Sequence, residues 1–300
     1  MAMRTIILTG AGGVGKSTLS AATAVGCAAR GHKTAHFTTD AIPTLHHVYK
    51  QEIGLRPRKL AENLDVWQVS NEEVLERQWP YAWGYIQRLQ KRGIVLSDLI
   101  DPIGADSLSG AVELGAVDGY DVAVFDLGAG PRDAVKALLY PRNLATNMEG
   151  FDGLFHGIVR FLRHQPFRWF IERRWKTPLP EEALFDDLRG AAERSKRSDQ
   201  ILRSADATLR LVAGHDPGSL EAAAAGAKRL KAAGFKADAL LLNMAAGEEA
   251  DVPPELAKLP RFFAGEWKKR PAGVADLKKL AEELYGGKDP AERFGKEKVR

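Results

Sequence analysis

Eight residues near the start of the chain, Gly10-Ala11-Gly12-Gly13-Val14-Gly15-Lys16-Ser17, combine glycines, one ammonium group and one hydroxyl. Glycine has no Cβ, so successive backbone N–H groups in such a loop can converge on an anion. Gly12, Gly13, Val14 and Gly15 are expected to supply those N–H groups, and Lys16 a mobile cation for the β- and γ-phosphates of a nucleotide. Ser17 offers its hydroxyl to Mg²⁺, and Thr18 completes the expected phosphate-contacting set. A strand-like run, Thr5 to Thr9, precedes the loop, and an alanine-rich helical run, Ser17 to Arg30, follows it. The chemistry requires that context, because the positive end of the helix then faces the phosphates.

Three other polar residues end apolar runs. Asp126 closes "DVAVFD", where a carboxylate either holds the water shell of Mg²⁺ or caps a turn. Gly128 and Gly130 follow, either as turn residues or as a segment that rearranges when a γ-phosphate is lost. Asp40 ends "FTTD" and either orients water for attack on the γ-phosphate or N-caps the next segment. Asn243 ends "LLLN", where its amide either pairs with the adenine edge or serves a turn.

The elements that must position these residues are also readable. Strands are expected at Thr5–Thr9, Lys33–Thr38, Asp121–Asp126, Thr208–Ala213, Ala237–Leu242 and Arg261–Ala264, with helices between them. The pattern predicts an α/β fold, a doubly wound and mostly parallel sheet. Between Pro141 and Ser204 no strand is visible, so a helical insert is expected over about 141–204. A further helical stretch lies between Asn71 and Arg92. Residues 1–286 read as a single domain, and 287–300 as a charged, flexible tail.

Composition bounds the function. With 45% hydrophobic and 27% charged residues in 300, the chain is an ordinary globular one. A net charge of +4 does not call for nucleic acid. The lone Cys27 excludes an internal disulfide and a paired-cysteine zinc site, and reads as a small core residue. His156 and His164 are expected to have no matching acidic or cysteine partners nearby, and His46 and His47 read as loop residues. No signal peptide or bilayer-length apolar run is visible, so a cytoplasmic location is expected.

Six segments in order resemble the arsenite-pump and tail-anchored-protein-targeting ATPases, the ArsA-like family of P-loop NTPases related to MinD and ParA. They are "GAGGVGKST", "TTDAIPTLHHVYKQEIG", "PIGADSL" from Pro102, "YDVAVFD", "LLLNM" and "GVADLKKLAEELYG". The resemblance implies an ATP- and Mg²⁺-dependent homodimeric switch. In it Asp40 acts on water and Asn243 reads adenine. It also implies that the insert supplies a groove for a protein client. Departures accompany it. Ala11 stands where the family carries a signature lysine that reaches the partner's phosphates, and Ala41-Ile42-Pro43 replaces Pro-Ala-His. The second switch, Leu127-Gly128-Ala129-Gly130-Pro131-Arg132, is nearer the MinD/ParA form. The family's metalloid and zinc cysteines are missing, which argues against arsenite export.

Ala11 predicts slow ATP hydrolysis, with Arg132 a candidate substitute cation. In the insert, Phe151, Leu154, Phe155, Ile158, Val159 and Leu162 form one apolar face at helical spacing, and Pro166 is expected to break the run. Arg160, Arg163, Arg168, Arg173 and Arg174 interleave with aromatics there. Packing within the protein, a client or partner, a membrane surface and, least of all, nucleic acid are the occupants considered. The leading expectation is an ATP-hydrolysing dimeric switch. The alternatives are a nucleotide sensor that binds ATP or ADP without useful turnover and, behind it, a small-molecule P-loop kinase.

Overall fold

The computed structural model describes residues 3–39, 44–91, 110, 113–128, 130–164, 168–175, 178–245 and 252–295. One eight-stranded sheet has the order β3-β4-β2-β5-β1-β6-β7-β8. Its strands are β1 (Arg4–Gly10), β2 (Thr34–Thr38), β3 (Arg58–Ala61), β4 (Leu64–Gln68), β5 (Val122–Asp126), β6 (Ala207–Gly214), β7 (Ala237–Asn243) and β8 (Arg261–Phe263). All neighbours pair in parallel except β3, which runs antiparallel to β4 at one edge. The doubly wound α/β architecture is the expected one. The β3–β4 hairpin was not anticipated. It turns at Asn63, which has φ 58°, a left-handed conformation that asparagine tolerates.

Contacts divide the chain into two compact units, one of 1–69, 117–138 and 201–300, the other of 70–116 and 139–200. The first holds the sheet. Helices α1 (Lys16–Ala29), α2 (Thr44–Tyr49) and α9 (Val274–Tyr285) share one core with alternate strand residues such as Ile6, Leu8, Val66 and Val124. On the other face Phe37 stacks on Trp67 and Phe125, with centroids 5.1 and 4.9 Å apart. Cys27 is fully buried in the core, as expected, and burial pushes its thiol up to about 12. His46 and His47 belong to α2, not to a loop. Helix α8 (Pro217–Ala232) begins at Asp216, whose side chain accepts the Ser219 N–H, with proline in the first turn.

The stretch after α9 is tied to this unit. Arg210 of β6 is wholly buried and donates to the carbonyls of Pro290 (2.6 Å) and Glu292 (3.0 Å) and to the Tyr285 hydroxyl. Phe294 is buried over the same guanidinium at 4.8 Å.

The second unit is helical: α3 (Asn71–Gln78), α4 (Pro80–Gln90), α6 (Arg168–Trp175) and most of α5 (Pro131–Arg163) and of α7 (Glu182–Arg203). Asp187 accepts the N–H groups of Tyr81 and Ala82 at 2.8 and 2.9 Å. It thereby satisfies two of the orphan donors at the start of α4. Arg189 ties Asp152, Glu182 and Asp186 together. Helix α5 begins before Pro141 and runs through it. Pro166 lies outside the described residues, between the ends of α5 and α6. Among the described residues no helix is long and apolar enough to cross a membrane.

Candidate functional site

Parallel register brings the C-terminal ends of the strands to one edge. Asp126 pairs with Leu8 on one side and Thr38 on the other, and Gly214 with Asn243. Strand β1 lies between β5 and β6, so the chain departs to both sides of it, the topological switch point where doubly wound sheets bind ligands. The glycine loop leaves β1 there.

The loop has the geometry its glycines permit. Gly13 and Gly15 have φ of 80° and 83°, and Gly15 is the left-handed N-cap of α1, with no side chain capping the helix. The first-turn N–H groups of α1 are thus left for an anion. Among the described residues, a Cβ built on Gly12 or Gly13 would meet no atom within 4 Å. At Gly15 the same atom would lie 2.1 Å from Asn243 Nδ2. Asn243 donates from that nitrogen to the Val14 carbonyl at 2.9 Å. The amide braces the loop, and among the described residues its oxygen and second N–H have no hydrogen-bond partner.

Asp126 is fully buried, and Thr38 Oγ1 donates to its Oδ2 at 3.3 Å. Thr39 and Gly128 tie the two strand ends together: Thr39 N–H donates to the Asp126 carbonyl, and Gly128 N–H to Thr39 Oγ1, both at 3.4 Å. A buried carboxylate beside the loop, with the Ser17 hydroxyl in the first turn of α1, is a hard oxygen donor set suited to Mg²⁺. When bound, that ion would supply charge neutralisation to the phosphates. Lys16 opens α1, and Thr18 is buried in its first turn. Asp40 lies outside the described residues, as does the side chain of Arg132, whose backbone is in the first turn of α5.

Several residues at this end of the molecule were missed. His36 is fully buried in β2, with Nε2 2.8 Å from Ser20 Oγ and Nδ1 2.7 Å from Tyr49 Oη. The three join α1, β2 and α2. Burial pushes the imidazole down to about 3, so it is neutral at physiological pH. Burial, and after it the charge of Asp126, pushes the Tyr49 phenol up. A histidine inside the apolar run "TAHFT" was the available signal. Arg270 Nη2 reaches Thr18 Oγ1 at 3.5 Å, a contact no motif announces.

In the helical unit, His156 does have acidic partners: Glu182 at 2.8 Å and Asp152 at 3.9 Å. Glu182 comes from a distant part of the chain, but Asp152, one helical turn before His156, was visible to local spacing and was overlooked. Among the described residues no group of three such side chains is placed to hold a metal ion. Phe151, Leu154, Phe155 and Ile158 are exposed, together with Phe161, Trp169 and Phe170.

Sheet order, loop conformation and the buried carboxylate define a P-loop nucleotide-binding protein. Residues 3–259 match the model of the anion-transporting ATPase (ArsA-type) family, and the chain belongs to that family. It is a nucleotide-binding ATPase. A protein of Prosthecochloris vibrioformis named "Putative arsenical pump-driving ATPase" is 25% identical over 97% of this chain and 77% of its own length. One of Aquifex aeolicus, "Putative arsenical pump-driving ATPase 1", is 25% identical over 98% and 82%. An uncharacterized protein of Streptomyces coelicolor is 27% identical over 96% and 70%.

Proposed function

We propose that the protein is a Mg-ATP-driven switch. The glycine loop from Gly12 to Gly15 cradles the phosphates with its N–H groups, Lys16 neutralises the β- and γ-phosphates, and Thr18 sits beside them. Ser17 and Asp126 hold Mg²⁺. Asp40 orients the attacking water, and the free face of the Asn243 amide reads adenine. ATP favours a closed homodimer, and hydrolysis or release reopens it. The helical unit binds a protein client in one of those states, through different affinity for the two.

The observation that carries this reading is the loop with left-handed glycines beside the buried Asp126 carboxylate, at the switch point of the sheet. The exposed aromatics of α5 and α6 support a client surface, since monomeric proteins seldom leave such patches bare. The absence of arsenite-pump cysteines in a chain with only Cys27 argues against metalloid cargo.

Steady-state phosphate release tests the enzymatic part. Asp40→Asn should abolish a slow basal rate. An unsubstituted protein that binds ATP without releasing phosphate is a sensor instead. Mass in solution tests the switch. A non-hydrolysable ATP analogue should double it, and an unchanged monomer removes the dimer from the mechanism.

A further inference from the structure

The segment between β8 and α9, "AGEWKKRPAG", is anchored at both ends. Glu283 accepts the Gly265 N–H at 2.7 Å with one oxygen and Trp267 Nε1–H at 3.0 Å with the other. Gly273 N–H donates to the Val48 carbonyl at 2.8 Å, which ties the far end to α2. Between the anchors lie the exposed Lys268, Lys269 and Arg270, none of which forms an ion pair among the described residues. One of these cations is directed at the nucleotide loop: the Arg270 guanidinium meets the hydroxyl of buried Thr18, two residues beyond Lys16. The glycine loop itself carries a single positive side chain, Lys16, and position 11 is alanine.

We propose that Arg270 is a nucleotide-binding residue that donates to the α/β-phosphate end of a bound nucleoside di- or triphosphate, supplying in cis a second cation to the site. The inference rests on the nucleotide reading above. Guanidinium–phosphate pairs are charge-assisted and stronger than neutral hydrogen bonds. The first turn of α1 directs its N–H groups at the same anion. Lys16 serves the β- and γ-phosphates, whereas the Arg270 contact concerns phosphates that ADP and ATP share. Holding the segment at Glu283 and Val48 reduces the entropy lost in bringing the side chain to the ligand.

The test is equilibrium titration of ADP and ATP, each with Mg²⁺, into the unsubstituted protein, R270Q, R270K and K16A. R270Q should weaken both nucleotides by the same factor, about tenfold. R270K, which keeps the charge, should recover most of that loss. Arg270 is exposed, so the melting temperature of ligand-free R270Q should equal that of the unsubstituted protein. The loss in R270Q should shrink as KCl is raised, because salt screens the contact. Unchanged affinity in R270Q alongside a loss in K16A would overturn the role of Arg270 and leave the nucleotide site standing. A loss confined to ATP would overturn it as well. Failure of the unsubstituted protein to bind either nucleotide would remove the site and this residue's role together.

Discussion

The Asn243 side-chain amide donates to the Val14 carbonyl at 2.9 Å across 229 residues of sequence, fixing the end of β7 to the middle of the phosphate loop. The loop's shape therefore depends on the sheet edge beyond it as well as on its own glycines. Asn243→Ala removes one hydrogen bond, worth about 0.5–1.5 kcal/mol. Its affinity for Mg-ADP should fall by about two- to tenfold in calorimetry. Asn243→Asp should be worse, because a carboxylate would face the Val14 carbonyl oxygen.

Two glycine substitutions should separate loop shape from ligand approach. Gly15 has φ 83° and lies against Asn243, so Gly15→Ala strains the backbone by about 1–2 kcal/mol and forces the amide aside. Its melting temperature and its nucleotide affinity should both drop. A Cβ on Gly12 meets nothing among the described residues. Gly12→Ala should melt like the unsubstituted protein yet bind ATP more weakly, since a side chain in a phosphate-cradling loop hinders the close approach of backbone to anion.

His36 makes stability pH-dependent. Its folded value, about 3, lies below the 6.5 of an exposed imidazole. Between those values the unfolded chain binds the extra proton, so stability rises with pH across that window. The stabilisation is complete above pH 6.5 and is lost as pH falls toward 3, by several kcal/mol at the limit. Melting temperatures between pH 7 and 4.5 should decline more steeply for the unsubstituted protein than for His36→Gln. Equal slopes would show that His36 does not carry the effect.

Arg210 holds the segment that follows α9. Arg210→Ala would leave the Asp238 carboxylate short of a charge partner 3.6 Å away and two carbonyls without donors. Removing one member of a buried charged network costs about 3–5 kcal/mol. Chemical denaturation should show that loss, and limited proteolysis should cut after Gly286 faster than in the unsubstituted protein.

Much of the sheet was legible because buried parallel strands read as apolar runs: "TIILT", "DVAVFD", "TLRLVA" and "ADALLL" mark four of them. The β3–β4 hairpin was not, because β3 has only four residues, two of them exposed, and Asp65 interrupts β4. That carboxylate is accommodated by the Tyr120 hydroxyl, which donates at 2.8 Å from a residue distant in sequence. The phosphate loop was legible because its chemistry is local. The contacts of Asn243 with Val14, of His36 with Ser20 and Tyr49, and of Arg270 with Thr18 join residues brought together only by the fold. The buried Phe294 was hidden in the same way, in a stretch whose composition is that of a solvated tail.

Calorimetric titration of Mg-ATP and Mg-ADP into the full chain, beside its Lys16→Ala variant, probes the phosphate cradle most directly. The account predicts saturable binding of both nucleotides at a single site, with Lys16→Ala losing at least about tenfold in affinity. Absence of binding heat at millimolar nucleotide, or equal affinity in the variant, would contradict it.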